Sequence, residues 1–419
     1  MLWKNKEPEK VFTPRASDVN ESMYVNRPDL ESALKRGLRS SMHLLIYGES
    51  GSGKTWLYKR VLKDLDIDVY IANLANASRL KSINAEFSNL VNREQQARET
   101  GYSEMTKAGV SAGVASGGLQ HQSQYTFGEM EPFEACLSSI RNRSNNKQAI
   151  LVLDNLESIR AEQNLLTDLA NVITLLDDER YASYKVNLLI VGVPGDLRQY
   201  YQATPNLTTV ANRIREMPEV SRMTLEQCKN LIYQGFIKEL KYDVDDIDSI
   251  ISHISWVTDR LPQRIHEYCL ELAFIGESNS RKINRSLLDE ADKFWLKQSL
   301  AANYTVIESM MNERDTKVGR RNQTLYSLGL IETEEFKWSD IEEIVRKEFP
   351  TSTDNLTLNL PQILSWLSVR ENPIIKRSPK GDAYCFSDPK YRMCLRAMLR
   401  KSSNLDSSHS VEKLSISQI

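Results

Sequence analysis

The feature that most constrains this chain is the octapeptide at residues 48–55, which reads GESGSGKT and directly follows the apolar run His43–Tyr47. It matches the pattern G-x-x-x-x-G-K-[ST], and helix-forming residues 56–62 come next. Glycines let such a loop turn tightly enough for backbone N–H groups to face phosphate oxygens, and a helix N-terminus adds positive potential. The order strand, loop and helix therefore predicts an α/β core that binds a nucleoside triphosphate.

The individual positions of this loop have predicted contacts. The Lys54 ammonium would reach the β- and γ-phosphates, and the Thr55 hydroxyl would ligate Mg²⁺. The alternative is a Gly/Ser-rich connection with no ligand, but this explains the agreement of strand, loop and helix less well. The predicted nucleotide-binding residues of the loop are Gly48, Glu49, Ser50, Gly51, Ser52, Gly53, Lys54 and Thr55.

The composition of the chain argues against several other classes of protein. The chain has 419 residues, enough for two or three domains, and its net charge of −2 argues against a global attraction to nucleic acid or membrane. Its five cysteines are widely spaced without a C-x-x-C pair, which indicates neither a zinc site nor a disulfide framework. The N-terminus lacks the apolar core of a signal peptide, and no apolar run reaches the length of a membrane span. We therefore predict a cytoplasmic protein with no membrane partner.

Apolar segments alternate with helical patterns in the first half of the chain. Strands are predicted at 43–48, 68–73, 149–154 and 186–193, and continuous apolar strands between helices favour a parallel sheet covered on both faces. Residues 95–128 interrupt this pattern with a Gly-rich insertion, which is either a disordered loop or a moving element that senses nucleotide or a partner. The predicted divisions are an extended N-terminal arm (1–20), a P-loop core (21–221), a helical lid (222–299), helices with one hairpin (300–401) and a disordered tail (402–419).

A carboxylate at the end of a second buried strand supplies the expected partner of the loop. There Asp154 would hold the hydration shell of Mg²⁺ beside Thr55. Asn155 stands next, and an amide can orient a water molecule but cannot take its proton. Glu157 lies close by, at the start of a helix predicted over 157–177 that would direct it elsewhere. These residues predict slow hydrolysis, with Asn155 and Glu157 as the candidate catalytic side chains.

The segments described so far resemble the AAA+ ATPases, and among them the initiator-like and STAND-like branches. The stretch Tyr24–Leu30 is similar to the family box that precedes the phosphate loop and lies against the adenine, which would make Arg27 a nucleotide contact. VLDN at 152–155 resembles the Walker B segment in a form nearer to STAND proteins. Residues 189–197 resemble the fourth-strand segment of transposition-accessory and secretion-type members, but positions 193–194 hold Val and Pro where the family has a polar sensor. The resemblance implies ATP and Mg²⁺ as cofactors, and the missing sensor again argues for slow hydrolysis.

Two arginines match positions with catalytic roles in the family. Residues 211–215 resemble the segment that carries an arginine finger in oligomeric members, and Arg213 would there stabilise charge on the transferring phosphoryl group. Residues 258–268 resemble the start of the lid helix that carries sensor 2, and Arg264 would there reach the γ-phosphate. The alternative for both arginines is a solvated position at the surface. The family also implies a five-stranded parallel sheet with a helical lid, and it includes homo-oligomers.

The unit at 300–401 resembles a winged helix. Residues 370–401 carry nine Lys or Arg against three acids, a charge of +6 that suits contacts with DNA phosphates. The predicted recognition helix at 360–369 has no Lys or Arg, however. Nonspecific DNA contact and docking of an unknown protein are therefore both open. The predicted elements are helices at 303–313, 339–348 and 360–369 and a hairpin over 374–386.

The resemblance leads to one main hypothesis and two rivals. In the main hypothesis the chain is an ATP-binding AAA+/STAND-like switch with slow hydrolysis, in which nucleotide closes the lid and winged helix onto the core and sets oligomerisation or partner engagement. One rival is a DNA-binding replication initiator or transposition regulator, and the other is an active oligomeric remodelling ATPase. Proteins of this kind serve mobile elements, antiphage defence and replication initiation, and the sequence does not choose among these settings.

Overall fold

A computed structural model of the chain divides it into two compact units, with the boundary between Ser221 and Arg222. We call them the core unit (17–19 and 26–221) and the C-terminal unit (6–16, 20–25 and 222–416). The predicted Gly-rich insertion at 95–128 lies outside the described residues. The structure describes residues 6–92, 130–145, 147–193, 210–312, 319–378, 381–402 and 410–416.

The N-terminal residues begin with a short helix, α1 (Pro8–Val11), and belong to the C-terminal unit. Phe12 follows the helix and is fully buried, with its ring centroid 5.0 Å from that of Phe236. The prediction of an extended arm over 1–20 is wrong at these positions, because Val11 and Phe12 gain more from burying apolar surface than from solvation.

A five-stranded parallel sheet forms the centre of the core unit, as predicted. The strands are β1 (His43–Tyr47), β2 (Asp68–Asn73), β3 (Ala149–Asp154), β4 (Val186–Gly192) and β5 (Ile214–Glu216). Their order is β2-β3-β4-β1-β5, so the strand that leads into the phosphate loop lies between strands from much later in the chain. β3 and β4 are nearly continuous runs of buried apolar residues, as expected for strands covered on both faces.

The register of the sheet brings the predicted site residues to one edge. Asn73 pairs with Asp154 between β2 and β3, and Tyr47 pairs with Gly192 between β1 and β4. Because parallel strands end at the same edge, the loop after β1 and the residues after β3 share the carboxyl edge of the sheet. The helices of the core unit are α2 (Pro28–Leu38), α3 (Lys54–Asp64), α4 (Leu74–Leu80), α5 (83–92), α6 (Pro132–Arg143), α7 (Gln163–Leu175) and α8 (Glu179–Ala182).

The helix predicted over 157–177 is interrupted. Leu156–Ile159 form a 3₁₀ turn, and α7 begins only at Gln163. The reason is Asn155, whose left-handed backbone, with φ of 63°, ends β3 and cannot continue into an α-helix. Asparagine tolerates this conformation better than most residues do. Glu157 is therefore placed on a 3₁₀ turn beside the strand end.

The first part of the C-terminal unit is helical and includes one short addition, and its assignment as a lid stays a prediction. The addition is a parallel pair of two-residue strands, β6 (Asp243–Val244) and β7 (Lys282–Ile283). Two residues are too few to show an alternating pattern, so the sequence did not reveal them. The helices are α9 (Leu225–Tyr233), which continues into a π-helical turn at Gln234–Glu239, and α10 (Ile247–Val257), α11 (Pro262–Ser278) and α12 (Leu288–Ser299).

Residues 301–401 contain the elements predicted for a winged helix, together with one further helix between the first two. The hairpin of β8 and β9 is antiparallel, and its assignment as a wing stays a prediction. The helix predicted over 339–348 begins one residue earlier, and the Asp340 carboxylate accepts from the N–H of Lys337 at 2.7 Å before it. The elements are α13 (Ala301–Met310), the further helix α14 (Arg320–Leu330), α15 (Trp338–Glu348), α16 (Leu360–Ser368), β8 (Ile375–Arg377), β9 (Tyr384–Phe386), α17 (Lys390–Met398) and β10 (Leu399–Lys401).

Part of the predicted disordered tail is folded. Residues Val411–Lys413 form β11, which pairs antiparallel with β10. The N–H of Leu414 donates to the carbonyl of Met398 at 2.7 Å, and Leu414 and Ile416 pack against the apolar core of the unit. The prediction of disorder over 402–419 is therefore wrong at 410–416, where a few apolar side chains outweigh the polar composition.

One buried histidine in each unit predicts acid sensitivity. Burial lowers the pKa of His43 in the core unit and of His266 in the C-terminal unit to about 4. Their unfolded forms take up a proton near pH 6.5, so the free energy of unfolding falls as the pH drops from 6.5 towards 4. We expect each unit to lose about 2 kcal/mol between pH 7 and pH 5, measured by urea unfolding at both values.

A histidine replacement provides the control for this pH effect. His43 Nδ1 accepts from the N–H of Leu188 at 3.2 Å, and an asparagine oxygen can take over as acceptor. The variant His43→Asn should therefore show a smaller difference between pH 7 and pH 5 in the core unit. An unchanged difference would show that other groups cause the acid sensitivity.

Candidate nucleotide-binding site

The phosphate loop connects β1 to α3 through a backbone that favours glycine. Gly51 and Gly53 have φ of 84° and 93°, in the left-handed region. A side chain on Gly48 would come within 2.3 Å of the carbonyl oxygen of Val220, so a larger residue does not fit there either. Helix α3 begins at Lys54, directly after the loop. A loop of this geometry at a helix N-terminus can bind an anion such as phosphate.

The Lys54 ammonium is partly buried at this loop. It donates to the carbonyl oxygens of Gly48, at 2.8 Å, and Glu49, at 3.0 Å. Burial lowers the pKa of Lys54, and the carboxylates of Glu157, Asp154 and Glu49 act in the opposite direction. The Lys54 ammonium is thus influenced both by Asp154, which the sequence placed at this site, and by Glu157, which the sequence predicted to be directed elsewhere.

Asp154 and Asn155 lie together at the end of β3, but their side chains have different partners. Burial raises the pKa of Asp154, whereas the N–H of Asn155, 2.9 Å from its Oδ1, and the charge of Lys54 lower it. The Asn155 carboxamide donates through Nδ2 to Oδ1 of Asn73 at 3.0 Å. The same oxygen accepts from the N–H of Ala75 and caps α4. Asn155 thereby links the ends of β2 and β3, a role that the sequence signalled only by an asparagine at the end of each strand.

Glu157 lies exposed on the 3₁₀ turn after β3. Among the three carboxylates that raise the pKa of Lys54, it has the largest influence, ahead of Asp154. A carboxylate at the end of β3 can orient a water molecule and also take its proton, whereas the Asn155 amide can only orient it. The catalytic roles of Asn155 and Glu157 stay predictions.

Arg27 is a structural clamp on the phosphate loop. Its side chain is buried, and its two terminal nitrogens donate to the carbonyl oxygens of Ser52 and Ser221, each at 3.0 Å. Its own N–H donates to the Glu31 carboxylate at 2.8 Å, where α2 begins. The sequence predicted an adenine contact for Arg27, and that contact stays a prediction. The clamp was not predicted, because Ser221 is distant in the chain and nothing local marks it.

Replacing Arg27 should destabilise the core unit. The variant Arg27→Ala leaves two carbonyl oxygens without their charged donor, so we expect the free energy of unfolding to fall by about 2–4 kcal/mol. Arg27→Lys should recover only part of this loss, since a single ammonium does not reproduce the two donating nitrogens of the planar guanidinium group. Urea unfolding of the variants checks this, and Arg36→Ala on the exposed face of α2 is the matched control. Equal stability of Arg27→Ala and Arg36→Ala would contradict the clamp.

The two arginines that match catalytic positions of the family, Arg213 and Arg264, each have a partner within their own unit. Arg213 precedes β5, and its Nε lies 2.5 Å from Oδ2 of Asp177 in the core unit. Arg264 is buried in α11, where Nη1 donates to both carboxylate oxygens of Glu267 at 2.9 and 2.7 Å. The alternative of a solvated surface position is therefore wrong for Arg264. The arginine-finger and sensor-2 roles of these residues stay predictions.

The basic residues of 370–401 do not all face solvent. Arg392 and Arg396 are 1% and 7% exposed, and both bind the carboxylate of Asp259, which is itself 3% exposed. Arg222 joins them at 3.1 Å from the same carboxylate. The charge of +6 counted from sequence therefore overstates the surface charge, because helix periodicity alone does not distinguish a buried arginine from an exposed one. We call these four residues the Asp259 cluster.

The residues at the carboxyl edge of the sheet fit ATP and Mg²⁺. The positive-φ glycines and Lys54 provide the backbone concavity and the cation that a triphosphate requires. Thr55 and Asp154 provide hydroxyl and carboxylate oxygens, the donor types that Mg²⁺ prefers. When bound, Mg²⁺ would neutralise charge on the triphosphate. Because the charges that act on the Lys54 ammonium are those of three carboxylates, the site is suited to a metal-bound triphosphate rather than a bare one.

Comparisons with known proteins agree with this geometry. Residues 38–201 match a family model described as an AAA domain. A Walker-type ATPase of Pyrococcus abyssi has a similar fold, with a TM-score of 0.51, 15% identity, and coverage of 92% of this chain and 99% of that chain. Two further structures align less closely: Cdc6p of Pyrobaculum aerophilum (TM-score 0.44, 15% identity, 93% and 96% coverage) and the ORC2 protein of Aeropyrum pernix (0.47, 14%, 93% and 96%). None of the curated proteins matches the sequence significantly.

The sheet order, the phosphate loop and the family match define a P-loop AAA+ fold. Residues 38–201 match an AAA domain, and the fold around them is of the P-loop AAA+ type that the sequence predicted. Within the part of the chain that the structure describes, no helix is both long and apolar enough to cross a lipid bilayer.

Proposed function

We propose that this protein is an ATP-binding AAA+/STAND-like switch that hydrolyses ATP slowly. The observation that carries the proposal is the position of Asn155: it occupies the place after Asp154 where many AAA+ ATPases have a glutamate, and its carboxamide is bonded to Asn73. An amide engaged in this way is a poor activator of water, so bound triphosphate would persist. ATP and Mg²⁺ are the cofactors in this proposal, held by Lys54, Thr55 and Asp154.

The contacts on both sides of the unit boundary support control of the C-terminal unit by nucleotide. Arg27 holds the carbonyl of Ser221 together with the phosphate loop, in the core unit. The next residue, Arg222, binds Asp259 in the C-terminal unit. A change in the loop on nucleotide binding would thus reach the first residue of the lid through one peptide bond. The lid and the winged helix would respond together, setting oligomerisation or engagement of a protein partner.

The test is a comparison of ATP affinity with ATP turnover. We expect tight binding, a turnover below about 1 s⁻¹, at the slow end of enzymes, and a change in molar mass on adding ATP, read by light scattering. Asn155→Ala and Glu157→Ala separate the two candidate catalytic side chains. Fast turnover that survives Asn155→Ala and is lost in Glu157→Ala would contradict the switch and favour a remodelling ATPase.

A second candidate function is that of a DNA-binding initiator or transposition regulator. Lys376 and Arg377 are exposed on β8, and Arg321 and Arg370 lie over the ring of Trp366 on α16, with guanidinium carbons 4.4 and 4.0 Å from its centroid. Exposed basic side chains of this kind suit phosphate contacts. Lys376→Ala should lower the salt dependence of duplex binding by about one phosphate contact, with Lys229→Ala as control. Equal binding by both variants would favour protein docking.

A further inference from the structure

A shallow groove lies between α11 and α12 in the C-terminal unit. Its volume is about 340 Å³, at the low end of ligand pockets. Apolar side chains and two carboxylates line it, and among the described residues no Lys or Arg does. We call it the lid groove; its main lining residues are Phe274, Ile275, Leu287 and Phe294, with Glu271 and Glu290.

The helical spacing explains why these side chains share one surface. Glu271, Phe274 and Ile275 stand at i, i+3 and i+4 on α11, and so lie on one face of that helix. Glu290 and Phe294 stand at i and i+4 on the facing side of α12. Side chains of the two helices thus line a hollow between them, and a third helix could pack into such a hollow. Phe274 remains 40% exposed, which is high for a phenylalanine beside a buried helix interface.

The Glu271 carboxylate gives the groove a preference for a positively charged occupant. Its side chain is partly buried, and burial raises the pKa of its carboxyl, with no opposing contribution from a neighbouring group. Within the described part of the chain, this carboxylate has no ion pair or hydrogen bond. A carboxylate that is partly desolvated beside apolar rings gains most from a cation brought to it by the occupant. An anionic surface or an acidic peptide would be repelled for the same reason.

We propose that the lid groove is a docking site for a basic amphipathic helix of a partner protein. Apolar side chains of that helix would cover Phe274 and Phe294, and a Lys or Arg beside them would pair with Glu271. This is the helix-in-groove mode of recognition, in which anchors at i, i+3 and i+4 supply affinity and flanking charges supply specificity. The proposal does not depend on the nucleotide site, since it rests only on residues of the C-terminal unit.

The experiment uses the full chain and a fluorescein-labelled probe peptide of about 18 residues, built from Leu and Lys in an amphipathic helical pattern. A second peptide keeps the Leu positions and replaces Lys by Glu. Fluorescence anisotropy should show binding of the Lys peptide that weakens with KCl, and at least about tenfold weaker binding of the Glu peptide. Glu271→Lys and Phe274→Ser should each weaken binding of the Lys peptide by about tenfold or more.

A matched control separates the groove from general surface charge. Glu277→Lys makes the same charge change on the same helix, at an exposed residue outside the groove lining, and it should leave binding nearly unchanged. Circular dichroism melts establish that all variants are folded, and Glu271→Gln provides a milder change if Glu271→Lys is not. Equal losses in Glu271→Lys and Glu277→Lys, or equal binding of the two peptides, would overturn the proposal. So would a rise in molar mass with concentration that Phe274→Ser abolishes, because the occupant would then be a second copy of this chain.

Discussion

Replacing Lys54 with alanine should raise the dissociation constant for ATP by at least about 100-fold. The ammonium is a partly buried cation that donates to two carbonyls of the phosphate loop, and the carboxylates of Glu157, Asp154 and Glu49 act on it. Without it, those carboxylates would face the triphosphate directly, so the loss includes repulsion as well as a missing contact. A fluorescent ATP analogue titrated against the two proteins measures the change.

A second lysine on the same helix supplies the control. Lys59 lies one turn further along α3, and its ammonium donates to the carbonyl of Ser17 at 2.6 Å. Lys59→Ala should leave the dissociation constant within about twofold, since an exposed contact contributes little. Comparable losses in both variants would show that the phosphate loop is not the nucleotide site. The result tests binding and does not separate a switch from a motor.

Replacing Asp259 with asparagine should destabilise the C-terminal unit by about 3–5 kcal/mol. Its carboxylate accepts from Arg392 at 2.9 Å and Arg396 at 3.0 Å, and it lies 3.1 Å from a nitrogen of Arg222. Burial lowers the pKa of Arg396 to about 10, and the Asp259 charge opposes this effect. The variant would leave three guanidinium groups without their shared buried carboxylate, although the more exposed carboxylate of Glu334 lies beside two of them.

Thermal unfolding followed by circular dichroism measures this effect. A loss of about 3–5 kcal/mol corresponds to a fall of roughly 6–20 °C in the midpoint for a unit of this size. Asp248→Asn is the control, because Asp248 is exposed on α10 and its ion pair with Lys229 is long, at 3.4 Å. Midpoints within a degree or two of each other would show that the Asp259 cluster contributes little. Arg392→Met together with Asp259→Asn should recover part of the loss, since it removes one of the unpaired charges.

Predictions from sequence were most successful where the chemistry is local. The GESGSGKT loop requires glycines at set positions and a helix directly after it, and all of this lies within about twenty residues. The strands that carry Asp154 and Gly192 were recognisable because strands buried on both faces are apolar throughout. Even so, the bend at Asn155 was missed, because a left-handed residue is compatible with many sequences and is decided by its surroundings.

Contacts between distant segments were not predictable. Nothing near Arg27 marks Ser221 as its partner, and nothing in the basic stretch 370–401 separates the inward-facing Arg392 and Arg396 from the exposed Lys376 and Arg377. The tail at 410–416 shows the same problem, because its polar composition hides two side chains that complete an apolar core elsewhere. In each case the decisive partner is far away in the chain.

The sequence by itself determined that this protein has a P-loop core with a phosphate-binding loop, because backbone conformation at glycine and helix initiation after the loop depend on neighbouring residues. Only the tertiary structure decided how the charged residues are used. Burial makes a charge costly unless a partner is brought to it. Among the described residues, the fold brings Asp259 to three arginines and two carbonyls to Arg27, but it brings no partner to Glu271. These three arrangements determine the stability losses predicted for the Arg27 and Asp259 variants and the binding of a basic helix predicted for the lid groove.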